Sequence, residues 1–328
     1  MQSYLVYHSW QRKRRETMSR LCTKLQIDVP IIQGGMGNIS HAELTAAVSN
    51  AGGLGTIGCG TMTPAEVKRL IEATRRLTSR PFALNIAIRV SPHAEQLIEL
   101  AIEERISVVS LSAGNPAPFL SKLREAGIQT IGVVASVKQA IKAEQAGVDV
   151  LVAEGVEAAG INSPLELTTM TLIPQIMDHV TIPVLAAGGI GDGRGLAAAW
   201  MLGAEGVQLG TRLIATQESR VHEHYKRHLV QADDLETRII GREVGQVRRV
   251  LNGPYVAALQ PTSLAAFQEQ TNESFHIKGA LEGDETEGYV NAGLVSGLID
   301  DVPTVAELFN RMMDDAFGRI ERMYRTLQ

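Results

Sequence analysis

Eight short apolar runs, separated by longer segments of helical character, organise the sequence from residue 28 onward. They are residues 30–33, 54–58, 82–86, 108–111, 130–134, 150–153, 183–187 and 206–209. Runs that are apolar without alternation are what strands buried on both faces look like. The intervening segments carry helix signals. Thr63-Pro64-Ala65-Glu66 combines an N-cap, a proline at the first helical position and a capping-box glutamate. Ser40 is expected to cap the helix that runs to Asn50, with Gly52 at its stop. Ser136 is expected to open residues 137–146, which Gly147 ends. A strand and a helix thus recur together eight times. The pattern predicts an α/β chain closed into a (β/α)8 TIM barrel, with a doubly wound open sheet as the alternative.

Length alone, 328 residues, suggests two domains, but barrels of this kind routinely form one. Residues 21–216 and 286–328 are assigned to the barrel, with 302–327 as its last helix. Residues 217–285 are polar, mixed in charge and without clear strands, and are expected to form a small helical subdomain over the barrel mouth. Residues 1–20 are expected to be a flexible leader. Arg12-Lys13-Arg14-Arg15 is followed by Glu16, Thr17, Ser19 and Arg20 instead of an apolar stretch, so it does not read as a secretion signal, and Met18 is an alternative start.

Composition narrows the function classes. A net charge of -5 is a poor basis for gripping phosphate backbones, so a nucleic-acid partner is not expected. The sequence has no apolar stretch of about 18 residues, so no membrane span is expected. Two cysteines, Cys22 and Cys59, exclude a disulfide framework or a multi-cysteine metal site and suit the cytoplasm.

Glycine, with 31 residues, gathers after the apolar runs. In a barrel the strand C-termini carry the active site. Those positions read Gly34-Gly35-Met36-Gly37, Gly58-Cys59-Gly60, Glu154-Gly155 through Gly160, Gly188-Gly189-Ile190, and Gly210-Thr211. Either of the last two loops alone could be just a tight turn. Together, after strands seven and eight, they are expected to bind a phosphate, with Thr211 adding a hydroxyl. Gly53-Leu54-Gly55-Thr56-Ile57-Gly58 matches the spacing of a dinucleotide fingerprint, but it lies inside the second strand and opens no helix. His222, His224 and His228 cluster in an Arg/Lys-rich helical run and read as a packing or solvated face, so no metal is expected. With so few acids and bases, a bound cofactor would have to carry the chemistry.

Several motifs together resemble one family. They are Pro30-Ile31-Ile32-Gln33-Gly34-Gly35-Met36, Ala51-Gly52-Gly53-Leu54-Gly55, Asn85-Ile86, Val133-Val134-Ala135-Ser136-Val137, Ala153-Glu154-Gly155 and 167–172. They continue as Ala186-Ala187-Gly188-Gly189-Ile190, 208–212 and 292–297. The chain is similar, from about residue 20 to its end, to the flavin-dependent nitronate monooxygenase (2-nitropropane dioxygenase) superfamily, and within it to the FMN-dependent enoyl-acyl-carrier-protein reductases II. The resemblance implies one FMN at the barrel rim. Gly35 and Met36 would lie beside the ring, Asn85 would hydrogen-bond it, Glu154 would sit near the ribityl chain and ring edge, and Gly34 and Gln208 would also bind the cofactor. Gly160 would belong to the same site, and Gly188, Gly189, Gly210 and Thr211 would hold the phosphate. It also implies oxidation of alkyl nitronates with O2. The alternatives are reduction of an acyl substrate with NADH or NADPH as donor, and a non-catalytic flavin-binding barrel. A small-molecule or acyl substrate and a homodimer are the expected partners. Many members carry Gly-Gly-His after the Glu-Gly motif, the histidine serving as acid/base. Here the stretch reads Ala159-Gly160-Ile161. Ile161 cannot transfer a proton, and Asn162 cannot act as a base. A nitronate already ionised in solution needs none.

Overall fold

The structure, a computed structural model, describes residues 19–328. Residues 1–18 of the expected leader lie outside the described residues. Its last two positions do not fit that expectation: Ser19 caps, and Arg20 begins, a helix Arg20–Leu25.

Eight parallel strands form the core. They are β1 (Ile31–Gln33), β2 (Gly55–Gly58), β3 (Phe82–Ala87), β4 (Val108–Ser112), β5 (Gln129–Val134), β6 (Val150–Glu154), β8 (Val184–Ala187) and β9 (Gly206–Leu209). A further strand, β7 (Gly160–Asn162), leaves this sheet. The order runs β1-β9-β8-β6-β5-β4-β3-β2, and a parallel bridge between Ile32 and Leu54 joins β1 to β2 and closes the ring. The eight apolar runs are these eight strands, so the barrel is closed and the open-sheet alternative falls.

Alternation along the strands sorts their side chains into two cores. Ile32, Leu54, Ala83, Val108, Ile131, Val150, Val152, Leu185 and Ala187 pack together inside the barrel. Leu21, Cys22, Leu25 and Ile27 from the first helix and its following turn plug the end where the strands begin. Ion pairs from Arg20 to Glu205 (2.6 Å) and Lys24 to Asp149 (3.1 Å) fasten the plug there. The intervening strand residues face the helical shell, which is where most of the buried apolar surface lies.

Helix signals hold in most places. Thr63 and Glu66 close a reciprocal capping box on Pro64–Leu77, Ser136 caps Val137–Ala146, and Gly147 ends it at φ +96°. Ser40 does not cap Ala42–Asn50. The N-cap is His41, and the Ser40 hydroxyl instead accepts the Met36 N–H at 3.2 Å, because a 3-10 turn, Gly37–Ile39, takes up the preceding residues. The last helix, Val305–Thr326, buries Leu308, Phe309, Met312, Met313 and Ala316 against the shell. A Cβ on Gly193 would come within 2.7 Å of Ala316 N and Met312 O, so the approach of Gly193–Met201 to this helix depends on the missing side chain. Thr304 caps it through a second capping box with Glu307. Thr304→Ala is expected to cost about 1 kcal/mol. Thermal unfolding should show it as a drop of about 2 °C.

The segment 217–285 departs from the all-helical expectation. Besides helices it contains β10 (Thr237–Ile240) and β11 (Val247–Leu251), which pair antiparallel, and β11 pairs in turn with β7. Arg238, Arg248 and Arg249 interrupt these short strands and hide their apolar pattern. Of the histidine run, His222 and His224 are exposed, and His228 is half-buried between Glu285 (3.0 Å) and Glu236 (3.1 Å). The hydrogen bond from Glu285, then that from Glu236, holds its imidazole above its ordinary pKa, although burial opposes this. Among the described residues no helix is long and apolar enough to cross a membrane.

Candidate functional site

The inward-pointing residues of the strands form layers, and the last layer, at the C-terminal ends, changes character. Below it Val150, Val152, Ala83 and Val108 are apolar. One period of two further along each strand come Glu154 on β6, Asn85 on β3, and Ser110 and Ser112 on β4. Gln208 joins them from β9, where its neighbours Val207 and Leu209 face the outer shell. A polar ring therefore lines the barrel mouth above an apolar floor.

Hydrogen bonds fix part of this ring. Asn85 Nδ2 donates to Ser110 Oγ at 3.1 Å and to Ser112 Oγ at 3.3 Å, which leaves its Oδ1 free of them. A Cβ on Gly35 would overlap the Asn85 side chain, so the backbone after β1 lies directly against that amide. Gly34 lies beside Gln208, whose side chain would be 3.3 Å from a Cβ there. Gln33 is buried. Its Oε1 accepts the Thr56 N–H at 3.2 Å, while its Nε2 has no partner among the described residues.

Glu154 stands apart from the rest of the ring. Its side chain makes no hydrogen bond or ion pair with any described residue. By surface area it is half-buried and opens through the mouth, yet protein surrounds it closely enough that desolvation pushes its carboxyl up to about 7. No neighbouring charge contributes to that shift.

The two glycine loops lie side by side on adjacent strands, since Ala187 pairs with Gln208. Gly188 and Gly189 adopt φ +98° and +73°, a left-handed backbone that favours glycine. Among the described residues no acceptor pairs with the N–H of Gly188, Gly189 or Gly210. Nothing lies within 4 Å of where a Gly210 Cβ would be. Thr211 is buried, and its hydroxyl oxygen already accepts the Gly293 N–H at 3.0 Å, leaving only its proton to donate. A cleft of about 420 Å³ opens beside Gly188 and Gly189, walled by Thr169, Ile190 and Val295.

Ile161 sits on β7 opposite Arg248, with its side chain 46% exposed. Asn162 turns inward, and its Nδ2 donates to the Ala158 (2.9 Å) and Gly160 (3.2 Å) carbonyls, which makes it a brace for the loop. Gly160, at φ +73°, belongs to this strand and faces Asn291 instead of the glycine loops after β8 and β9. The glycines of the Gly53–Gly58 spacing serve packing: a Cβ on Gly53 would meet Phe309, and one on Gly58 would lie 2.7 Å from Gly37 N.

Sequence reasoning gave no role to four participants. Ser110 and Ser112 were detectable, because they continue the inward alternation from Val108. Glu157 accepts the Thr169 N–H at 2.9 Å and the Thr169 hydroxyl at 3.0 Å, pinning the loop after β6 to the helix Thr169–Met177. Asn291 has a buried Oδ1 without a partner beside Gly160, and no local pattern in the sequence marks it.

Comparison with known proteins agrees with the fold. A model of the nitronate monooxygenase family matches residues 18–96 and 83–315. The (3aS,4S,5R,7aS)-5-hydroxy-7a-methyl-1-oxo-octahydro-1H-indene-4-carboxyl-CoA dehydrogenase of Rhodococcus jostii is 34% identical, over 93% of this chain and 99% of that protein. A probable nitronate monooxygenase of Staphylococcus haemolyticus is also 34% identical, over 74% of this chain and 80% of that one. Among solved structures, FabK from Thermotoga maritima superposes with a TM-score of 0.90 at 38% identity, covering 94% of this chain and 99% of that one. Nitroalkane oxidase from Streptomyces ansochromogenes gives 0.82 at 25% identity, over 93% and 100%.

Proposed function

The chain belongs to the nitronate monooxygenase family of oxidoreductases, and from that we propose that it holds one FMN at the barrel mouth and oxidises alkyl nitronates with O2. The observation that supports this best is the pairing of a neutral anion cradle with an almost uncharged polar ring. Three unpaired N–H groups, of Gly188, Gly189 and Gly210, converge from adjacent strands where a phosphate would sit. Gln33 Nε2 and Asn291 Oδ1 are a buried donor and a buried acceptor without partners. A phosphate would satisfy the three N–H groups, so the strand-end loops fit the phosphate of FMN.

In this reading Gly188, Gly189 and Gly210 hold the phosphate, Gly35 and Met36 border the ring, and Asn85 and Gln208 fix its edge. The flavin, when bound, supplies the redox chemistry. The protein supplies position and a mostly neutral polar mouth, with the Glu154 carboxyl in the strand-end ring and Glu157 bordering Gly189. A nitronate arrives already ionised, so its oxidation asks the protein for no proton.

Purified protein is expected to be yellow and to release FMN on denaturation. Mixed anaerobically with a nitronate it should bleach, and air should restore the colour with turnover. Colourless protein that takes up no added FMN refutes the cofactor, and a flavin that no nitronate bleaches refutes the substrate. A second reading rests on the full-length match to FabK: reduction of an acyl thioester with NADH or NADPH as donor. Rapid anaerobic bleaching by a nicotinamide, followed by reoxidation by an enoyl thioester, would favour it.

A further inference from the structure

We propose that Glu154 is a general base that opens this mouth to neutral nitroalkanes as well as nitronates, doing at the end of β6 what Ile161 on β7 cannot. The inference rests on the nitronate reading above.

Three observations converge. First, Glu154 points inward: it follows Val150 and Val152 at a period of two, and both of these lie in the barrel interior. Second, its carboxylate is uncommitted, with no hydrogen bond or ion pair to any described residue. The other carboxylate of the same loop, Glu157, is occupied by the N–H and hydroxyl of Thr169. Third, no other group of the ring can take a proton. Asn85, Ser110, Ser112, Gln208 and Asn291 are not bases near neutral pH. Cys59 is buried, and burial pushes its thiol up to about 12. His276 is enclosed under the cap against Glu273 and the Tyr289 ring.

The surroundings also suit the role. From β8 Glu154 meets Ala187, its partner in register, and Gly188 follows it; from β5 the facing residues are Val134 and Ala135. None of these titrates, and no charge from any element contributes to its ionisation, which burial alone sets. A carboxylate held near neutrality matches a weak carbon acid better than one in the usual carboxylate range. In the step, a Glu154 carboxylate oxygen takes the proton from the carbon bearing the nitro group. The C–H bond breaks, an O–H bond forms, and the electron pair moves into the nitro group to give the nitronate. Glu154 is then neutral beside the new anion, and it returns the proton to water. No electrons leave the substrate in this step.

The test is anaerobic proton exchange, which needs no redox turnover. The FMN-loaded enzyme is incubated with nitroethane in D2O, and loss of the α-hydrogen signal is followed by NMR. Enzyme-dependent exchange should rise with pH through an inflection near 7, where Glu154 ionises. Glu154→Gln should lower exchange by about 100-fold. It should also reduce nitroethane oxidation by at least about tenfold more than ethyl nitronate oxidation. A merely structural role would reduce both substrates alike. Exchange persisting in Glu154→Gln, or wild-type enzyme that oxidises nitronate without exchanging nitroethane, overturns the assignment. Exchange without nitronate oxidation would instead leave the base in place and remove the nitronate reading.

Thermal unfolding gives a readout independent of both activities. The fold raises this carboxyl's pKa, so wild-type protein should lose stability as pH climbs from the usual carboxylate range through about 7. Glu154→Gln lacks that loss and should be the more stable protein above pH 7. Equal pH dependence in the two proteins counts against the proposal. Should Glu154→Gln fail to fold, Glu154→Asp must retain exchange, and an Asp variant without it overturns the proposal.

Discussion

Gly55→Ala is expected to be the most destabilising single-methyl substitution in the barrel wall, costing about 3–5 kcal/mol and leaving little folded protein at elevated temperature. The added Cβ would overlap the Thr45 carbonyl oxygen and lie 2.7 Å from the Thr45 carbonyl carbon and 2.8 Å from Ser49 Oγ. These atoms belong to Ala42–Asn50, and two of them are backbone, so no rotamer change relieves the overlap. The helix has to move outward. That shift breaks a clamp, because Ser49 Oγ accepts the Gly55 N–H (3.1 Å) and donates to the Pro81 carbonyl (2.8 Å), tying β2 to the start of β3. Thr45 Oγ donates to the Thr56 carbonyl across the same contact. Overpacking a filled core costs about 1–3 kcal/mol, and each lost hydrogen bond adds about 1. Gly210→Ala is the control. Its Cβ enters open space at φ -117°, so its unfolding temperature should stay within about 1 °C of wild type. Denaturant and thermal unfolding of the two variants decide the matter: equal stability would mean that β2 and its helix are not in close contact.

The same residues show what the sequence can and cannot reveal. Gly53-Leu54-Gly55-Thr56-Ile57-Gly58 has the spacing of a nucleotide-binding turn, and its place inside a strand was enough to discount that reading. The true reason for its glycines is tertiary: Phe309, Thr45 and Gly37, all distant in sequence, press on them. Strands buried on both faces leave a continuous apolar signature, so all eight barrel strands were legible. β7, β10 and β11 were not, because each is short, partly exposed and carries polar residues or arginines at the paired positions. Ser40 had the chemistry of an N-cap, but a 3-10 turn shifted the helix start by one residue.

The mouth was legible where its members share a strand end and opaque where tertiary structure makes the contact. Asn85, Glu154 and Gln208 stand at strand C-termini; the position of Glu154 was enough to mark it, and the family motifs nominated Asn85 and Gln208. Ser110 and Ser112 were overlooked because 108–111 reads as an apolar run, although the inward alternation from Val108 passes through both. Asn291 reaches Gly160 only through the folded path of the chain. Glu154 was visible as a residue, but its ionisation depends on having no partner, and no sequence pattern encodes that absence.

Gly35 and Asn85 should behave as one unit, and a double-mutant cycle is expected to show it. An alanine at 35 cannot coexist with Asn85 in place, because its Cβ would overlap the amide and lie 2.5 Å from Asn85 Cβ. Asn85 would have to swing away, losing its bonds to Ser110 and Ser112. At about 1 kcal/mol for each bond, plus the strain of a displaced buried amide, Gly35→Ala should cost about 2–3 kcal/mol. It should also weaken FMN binding by about tenfold or more, because it moves both the backbone that borders the ring and the side chain proposed to fix its edge. Asn85→Gly alone should lose the edge contact but leave the loop after β1 in place. In the Asn85→Gly background, which also removes the Cβ lying 2.5 Å away, the space for a methyl group at position 35 exists, so Gly35→Ala should then cost little. The predicted coupling is about 2 kcal/mol, larger than distant sites show. Denaturant unfolding of the four proteins measures it, and titration with FMN, followed by quenching of its fluorescence, measures the affinities. Additive stabilities would mean that the loop after β1 does not rest on Asn85. Coupled stabilities with unchanged FMN affinity would place the flavin ring elsewhere, since the packing would then be as described while its link to the cofactor would fail.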